Sequence, residues 1–389
     1  MRLRSHTLAL ILIAVLGSVL TSSCDRRATS AQPTAMSVAQ AQATEQPAAQ
    51  TPRGFHMIAV GDVMTDRNVW GAIQSNGAHS ILAKVRGELA QADVRFANLE
   101  CPLSTVGPHD PSNCSFRADP RSIEVLRDGK LDVVSLANNH FLNAGREAAV
   151  QTLSLLEKNS IAYTGAQRDR TKGSDPAFLT VNGLKLGFMA YTDLTFEHGS
   201  YSKVDPSRQQ FVAQVQAAKA QCDLLFVSFH WGEEYQTLPS VRQRKLGHLA
   251  IDSGADVVLG HHPHVLEGVE DYHGHPILFS MGNFVFDQRE GERMESAIFH
   301  LYYAEGQPWR VEATPIWIPR SRMGPIYPEL ERRMKIINRL VKISLPLSTK
   351  LTVEGEKGET HAAVTLQMRS ATPTAPPESK QPSQPKSKP

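Results

Sequence analysis

Val257-Val258-Leu259-Gly260-His261-His262-Pro263-His264 is the stretch that decides how this chain is read. An aliphatic, largely β-branched run ends in a glycine, and the backbone then turns through closely spaced imidazoles. The same order, an apolar run followed at once by a side chain able to bind metal, recurs along the sequence. Asp62 follows Phe55–Val60, Glu100 follows Val94–Ala97, and Asn138, Asn139 and His140 follow Val133–Ala137. His230 follows Leu224–Phe229, and Asn283 follows Ile277–Met281. Between the runs lie amphipathic stretches at Ile81–Ala90, Ile123–Arg127, Glu147–Leu156, Gln209–Ala220 and Val241–Ile251. Strands alternating with helices predict a layered α/β sandwich with helices outside and strands buried. Asn182-Gly183 and His273-Gly274 fall between apolar runs and read as hairpin turns, so the sheets are expected to be mixed. In such folds ligands gather beyond the carboxyl ends of the strands, where all of these donors fall.

Composition narrows the chemistry. The chain has 389 residues, 41% of them hydrophobic and 21% charged, enough for one large domain or two modest ones. Lys and Arg total 41 against 39 Asp and Glu, and a net charge of +2 gives no electrostatic case for a nucleic-acid partner. The 4 cysteines show no CxxC spacing, so a metal here is to be held by His, Asp, Glu or Asn.

The ends read as an address and two tethers. Arg2 and Arg4 precede an apolar run from Leu8 to Leu20, then small residues up to Cys24, as in a signal peptide covering residues 1–24. The run is shorter than the ~20 apolar residues of a membrane-spanning helix, so export is expected. Cys24 resembles the acceptor cysteine of bacterial lipoproteins, which implies a lipid-anchored, extracytoplasmic protein on the cell membrane. Residues 25–53 are rich in Ala, Gln, Thr, Ser and Pro and are expected to form a flexible linker, as are residues 369–389 with their Pro, Ser and Lys. The folded domain is expected over residues 54–368.

Taken singly, an Asp or Asn at a strand end is an ordinary turn former, and a lone His is an ordinary core or surface residue. Six strand ends carrying such donors together argue for a metal site. Oxygen and nitrogen donors without thiolate suit Mn, Fe, Zn or Mg. Asp62, Glu100, Asn139, His230, His262 and His264 are too many for one tetrahedral ion, so two divalent ions are expected, with Glu100 as their bridge. His140, next to Asn139, is placed to protonate a leaving group or stabilise developing charge. Asn138, Asn283 and Trp231 are candidates for contacting substrate; Trp231 and Tyr235 could instead pack the rim. Glu233 and Glu234 could orient an imidazole, and Arg117 and Arg289 could grip an anionic substrate.

An ordered set of motifs now points to a family. Gly61–Met64 (GDVM), Asn98–Glu100 (NLE), Leu136–His140 (LANNH), His230–Gly232 (HWG), Gly260–Val265 (GHHPHV) and Met281–Gln288 (MGNFVFDQ) resemble the poly-γ-glutamate capsule synthesis (CapA-type) family, whose fold is similar to the calcineurin-like metallophosphoesterases. The resemblance implies a four-layer α/β/β/α sandwich and membrane-linked work on capsule or cell-envelope polymer, alongside membrane-bound capsule synthesis subunits. It implies Asp62, Glu100 and His264 on one ion, Glu100, Asn139, His230 and His262 on the other, and His140 as acid. The chain departs from the metallophosphoesterase pattern at Met64, where an imidazole is usual, and at Glu100, where an aspartate is. It departs from the capsule family at Asn143, where Asp is common and a helix cap is the expected role. Cys101 and Cys114 flank a loop after Glu100 and could close it as a disulfide in an exported protein. The functional expectation is metal-dependent hydrolysis or transfer, and its alternative a non-catalytic capsule-assembly subunit that tethers or passes polymer.

Overall fold

The computed structural model describes residues 52–168, 175–194, 209–355 and 361–365, all within one unit spanning Thr51–Pro389. The expected signal peptide with Cys24, most of the expected 25–53 linker and the expected 369–389 tail lie outside the described residues. Among the described residues no helix is long and apolar enough to cross a membrane.

In chain order the strands are β1 (Gly54–Val63), β2 (Val94–Leu99), β3 (Val133–Ser135), β4 (Ala162–Thr164), β5 (Ala177–Val181), β6 (Leu184–Thr192), β7 (Leu224–His230) and β8 (Val257–His261). They continue as β9 (Val269–Tyr272), β10 (His275–Leu278), β11 (Asn283–Val285), β12 (Glu295–Ala304), β13 (Arg310–Trp317), β14 (Thr352–Glu354) and β15 (His361–Thr365). The helices are α1 (Arg67–Asn76), α2 (Arg86–Leu89), α3 (Ile123–Asp128), α4 (Gly145–Lys158), α5 (Gln209–Lys219), α6 (Val241–Asp252) and α7 (Leu330–Ser344). One sheet runs β14-β15-β13-β12-β1-β2-β3-β4, with β11 also paired to β1; the other runs β5-β6-β7-β8-β10-β9. Both are mixed: β1 is parallel to β2 and antiparallel to β12, and β10 is parallel to β8 and antiparallel to β9.

Strand alternation sorts the apolar residues into three layers between four of backbone. Met57 and Ala59, Val94 and Phe96, Leu224 and Phe226, and Val257 and Leu259 meet between the sheets. Their sequence neighbours turn outward: Ile58 and Ala97 pack with residues of α1, α3 and α4, and Val227 and Val258 with residues of α5 and α6. The result is the α/β/β/α sandwich expected. α7 closes the inter-sheet core with Ile336, Ile337, Leu340 and Ile343, one face of a 3.6-residue period.

Several sequence expectations hold in detail. Asn182-Gly183 and His273-Gly274 join β5 to β6 and β9 to β10 with positive φ at both central positions (49° and 77°; 57° and 85°), as a type I′ hairpin requires. α6 starts at a capping box between Ser240 and Gln243. Others are corrected. Of Ile81–Ala90 only Arg86–Leu89 is helical; Ile81, Leu82 and Val85 reach the core from turns, because burial constrains where side chains arrive and not how the backbone carries them. Cys101 and Cys114 are unpaired thiols, Cys101 buried beside Thr65 Oγ1 at 3.7 Å and Cys114 exposed. Burial pushes the Cys101 thiol up to about 12. Alkylation of the native protein is therefore expected to label Cys114 and spare Cys101 until the chain is unfolded, as read by peptide mass spectrometry.

Glu267 is 1% exposed and accepts one hydrogen bond, from Gln243 Nε2 at 2.8 Å. Burial pushes its carboxyl up to about 8. The folded state thus binds a proton the unfolded state has released, and stability falls as pH rises from the unfolded carboxyl range to about 8. Glu267→Gln is expected to match the wild type near pH 4 and exceed it by roughly 4–5 kcal/mol at pH 9, as measured by denaturant unfolding.

Candidate metal centre

A β-bulge aims the first carboxylate. Along β1 and β2, Ala59 pairs with Phe96 but Asp62 pairs with Asn98, so β1 carries one extra residue between them. Without it Asp62 would share the helix-facing side with Ile58 and Val60; with it, Asp62 joins Asn98 on the inter-sheet side. Gly61 makes the bulge possible, since a Cβ there would lie 1.9 Å from the Gly282 carbonyl oxygen. Glu100 is two residues beyond Asn98, and its backbone N–H bonds Val63 O at 2.9 Å. From the opposite sheet, His230 has the parity of Leu224 and Phe226, and His261 that of Val257 and Leu259, so both also face inward. His262 and His264 leave β8 with φ of 99° and 59°, strained backbone for residues with a Cβ, held in a polar site.

These placements bring the expected donors together. Ligand atoms of Asp62, Glu100 and His230 lie within 4.8 Å of one another, as do those of Glu234, His262 and His264. His264 also reaches the first group, at 3.3 Å from Asp62 Oδ2 and 3.6 Å from Glu100 Oε1. The grouping differs from that implied by resemblance, with Glu234 entering and Asn139 bonding His230 Nε2 at 2.8 Å.

Amide partners fix which ring nitrogens carry hydrogen. Asn283 Nδ2 donates to the carbonyls of His264 (3.2 Å) and Arg293 (2.9 Å), so its Oδ1 must accept from His264 Nδ1, 2.9 Å away. His264 Nε2 is then a lone pair facing Glu100. Asn98 Nδ2 donates to Asp62 Oδ1 (2.9 Å) and Glu100 Oε2 (3.3 Å) and approaches His230 Nδ1 at 3.4 Å. His230 Nε2–H therefore donates to Asn139 Oδ1, Asn139 Nδ2 donates to His140 Nε2 at 3.1 Å, and His140 Nδ1–H donates to Asn143 Oδ1 at 2.9 Å.

The consequence is a gap bordered by acceptors alone. Glu100 Oε1 is buried without a hydrogen-bond partner, facing the lone pair of His264 Nε2 at 3.6 Å, with His140 Nε2 3.9 Å away. His261 Nε2 and His262 Nδ1 are likewise buried and unpartnered. Such an arrangement is costly alone and suits a cation. The charges agree. Burial and the neighbouring Asp62 charge push the Glu100 carboxyl well up. Burial opposes ionisation of Asp62 too, but hydrogen bonds from His261 and His264 hold it well below the usual carboxylate range. Burial keeps His230 well down, and brings His140 and His262 to about 4, so these imidazoles are neutral, the form that binds metal. The residues present can hold a divalent metal ion.

Three expected substrate contacts are corrected. Trp231 is fully buried, stacked on Phe229 at 4.5 Å with Nε1–H bonded to Phe279 O at 2.8 Å. Asn138 spends its amide on Asn98 Oδ1 and Leu99 O and accepts the N–H groups of His140 and Phe141, shaping the loop. Asn283 is fully buried and orients His264. Arg117 Nη1 donates to Thr105 O at 2.6 Å. Met64 packs in the helix-side core, so the position of the usual imidazole faces away from the centre. Asn143 is no helix cap: α4 has Ala144 at its N-cap, and the Asn143 side chain holds His140.

Asn98, Glu234 and His261 belong to the centre but were missing from the donors chosen by sequence. For Asn98 a signal existed, since in a strand it shares a face with Glu100 two residues on. Glu234 reads from sequence only as a partner that could orient an imidazole; its place beside His262 and His264 is set by loop contacts such as Tyr235 N–H to Pro263 O at 2.8 Å.

Residues 56–288 match the family model described as bacterial capsule synthesis protein PGA_cap. The chain belongs to that family. It is 31% identical to PGA biosynthesis protein CapA of Bacillus subtilis over 73% of this chain and 77% of that protein. It is 27% identical to capsule biosynthesis protein CapA of Bacillus anthracis, over 74% and 72% of the two chains. A probable polyglutamine synthesis accessory protein of Mycobacterium tuberculosis is 27% identical, over 61% and 69%. Among solved structures, a 5′-nucleotidase from Candida albicans superposes with a TM-score of 0.38 at 11% identity, over 69% of this chain and 52% of that one.

Membership in the capsule synthesis family makes the histidine-orienting amides testable. Asn283→Ala frees the His264 ring, and affinity for Mn or Zn is expected to fall about 10–100-fold, as measured by calorimetric titration of metal-stripped protein.

Proposed function

We propose that this chain is an exported, lipid-tethered capsule-biosynthesis protein that binds two divalent ions and hydrolyses or transfers a bond of an anionic envelope polymer. Poly-γ-glutamate is the polymer to which the family and the name PGA biosynthesis protein point. The observation that carries the metal-dependent reading is Glu100 Oε1, buried and unpartnered against the lone pair of His264 Nε2. The signal sequence and Cys24 support export and anchoring, which would set the centre beside membrane-bound synthesis subunits on the outer side of the membrane.

Asp62, Glu100, His230, His262 and His264, with Asn139 or Glu234, would hold ions of the Mn, Fe, Zn or Mg type. Such ions supply Lewis acidity to a scissile carbonyl or phosphoryl group. The chain's own residues do the rest. Asn283 and Asn98 fix the rings of His264 and His230. Asn143 holds Nδ1–H of His140, which makes Nε2 the basic nitrogen; in exchange for its hydrogen bond from Asn139 Nδ2, Nε2 would take a proton from the nucleophile and pass it to the leaving group. Phe116, 4.6 Å from the His140 ring, covers one side of it.

Protein purified from its native host is expected to carry metal by elemental analysis, and stripping with chelator followed by Mn reloading is expected to abolish and restore turnover of an amide or phosphodiester substrate. His140→Ala is expected to lower turnover by about 10²–10⁴-fold. His230→Ala is expected to lose metal with activity. Turnover equal to wild type in both variants would sink the catalytic reading. Mass spectrometry of the mature N-terminus tests the anchor, with an unmodified start at Asp25 or later counting against it. Burial of Met64 in place of an imidazole favours a second reading, a metal-poor polymer-passing subunit; absence of bound ion and indifference to chelation would support it.

A further inference from the structure

Beside the metal centre lies an open cavity of about 570 Å³ whose lining includes Arg67, Arg289 and Arg293. Two of these arginines are tied to the centre through aromatic rings. The Arg67 guanidinium lies 4.5 Å from the Phe116 ring and 5.3 Å from the Phe286 ring. Phe116 in turn touches His140 at 4.6 Å, and Phe286 touches His264 at 4.8 Å. Arg293 lies 4.6 Å over Tyr235, whose ring is 6.4 Å from His264. Phe116, Phe286 and Tyr235 thus stand between the arginines of the cavity and the imidazoles of the centre.

The charge in this cavity is incompletely answered. Asp287 pairs with Arg67, and Glu290 pairs with Arg293 at 2.5 Å. Arg289 is exposed and forms no ion pair among the described residues. Arg67 Nε is buried with no acceptor, although its neighbouring nitrogen is paired. Arg67 also sits at φ 55° immediately after the α1 cap Asp66, a conformation unfavourable for an ordinary side chain and one that sets where this arginine leaves the backbone. Gln288 adds an amide to the same wall. Guanidinium groups gathered in one cavity, two of them beside aromatic rings and that of Arg289 without an ion pair, form a site for planar oxyanions, able to make paired hydrogen bonds.

We propose that Arg67, Arg289 and Arg293 form a carboxylate-binding subsite that grips the side-chain carboxylates of an anionic polyamide next to the bond held at the metal centre. This rests on the polymer reading given above and adds the recognition element to it. The centre handles one linkage, while the arginine wall recognises the repeat of negative charge along the chain and sets its direction across the site. Neutral polymers of the same length gain nothing from this wall.

The test is fluorescence anisotropy of a short labelled γ-linked glutamate oligomer on the full-length, metal-loaded protein. Arg289→Ala, at an exposed position where folding is not at stake, is expected to weaken binding about tenfold, and Arg289→Ala combined with Arg293→Ala about a hundredfold. Arg127→Ala, an exposed change on α3, is expected to bind like the wild type. The salt dependence of binding should flatten in the double variant. Unchanged affinity in the Arg289 and double variants overturns the subsite, as does equally tight binding of the neutral amide counterpart of the oligomer. Tighter binding of a glycerol-phosphate oligomer overturns the carboxylate assignment. Turnover measured on the same samples separates the two readings: arginine-dependent binding without turnover supports the subsite while removing the hydrolase.

Discussion

Two carboxylates, Asp62 and Glu100, are buried completely and almost in contact at the end of a sandwich of two sheets. Burying one carboxylate costs several kcal/mol unless it is paired, and burying two together adds their repulsion. Every polar feature around them answers that constraint. Asn98 donates one amide group to both, His261 and His264 turn Nδ1–H toward Asp62, and Asn138 and Asn283 hold those donors in place. What these donors leave unanswered is one oxygen of Glu100, and a divalent cation would answer it.

The fold supplies what such a site needs, rigidity and exclusion of water. The centre sits where β1, β2, β7 and β8 end, with the inter-sheet core of Phe96, Phe188, Phe226 and Leu259 behind it. Trp231 belongs to this support. Its position after His230 suggested contact with substrate, but the strand places consecutive side chains on opposite faces. His230 facing the centre obliges Trp231 to face the helices, where it packs on Phe229 and Phe279. The same alternation places Asn98 beside Glu100.

Asparagine recurs in this site because a buried ring needs a partner that specifies its tautomer without adding charge. Asn98, Asn139, Asn143 and Asn283 each touch an imidazole nitrogen. A carboxylate at any of these positions would add to the negative charge that Asp62 and Glu100 already concentrate. At Asn143 the amide accepts from His140 as an aspartate would, and it also takes the Phe116 N–H, which ties the His140 loop to the ring that lies against Arg67.

The amino-acid sequence by itself determined the alternation of strands and helices, both hairpin turns, and the set of donors at strand ends, because these follow from local periodicity and from turn residues whose φ angles few other side chains tolerate. It could not determine which donors pair. The bulge in β1, accommodated by the close approach of Gly61 to the Gly282 carbonyl, reverses the face on which Asp62 lies, and that contact joins residues far apart in the chain. Glu234, the arginine wall and the tautomer of each ring likewise depend on neighbours brought by other elements. Side-chain direction is local in a regular strand, but at bulges, loops and hydrogen-bonded rings it is set by whatever the tertiary fold places opposite.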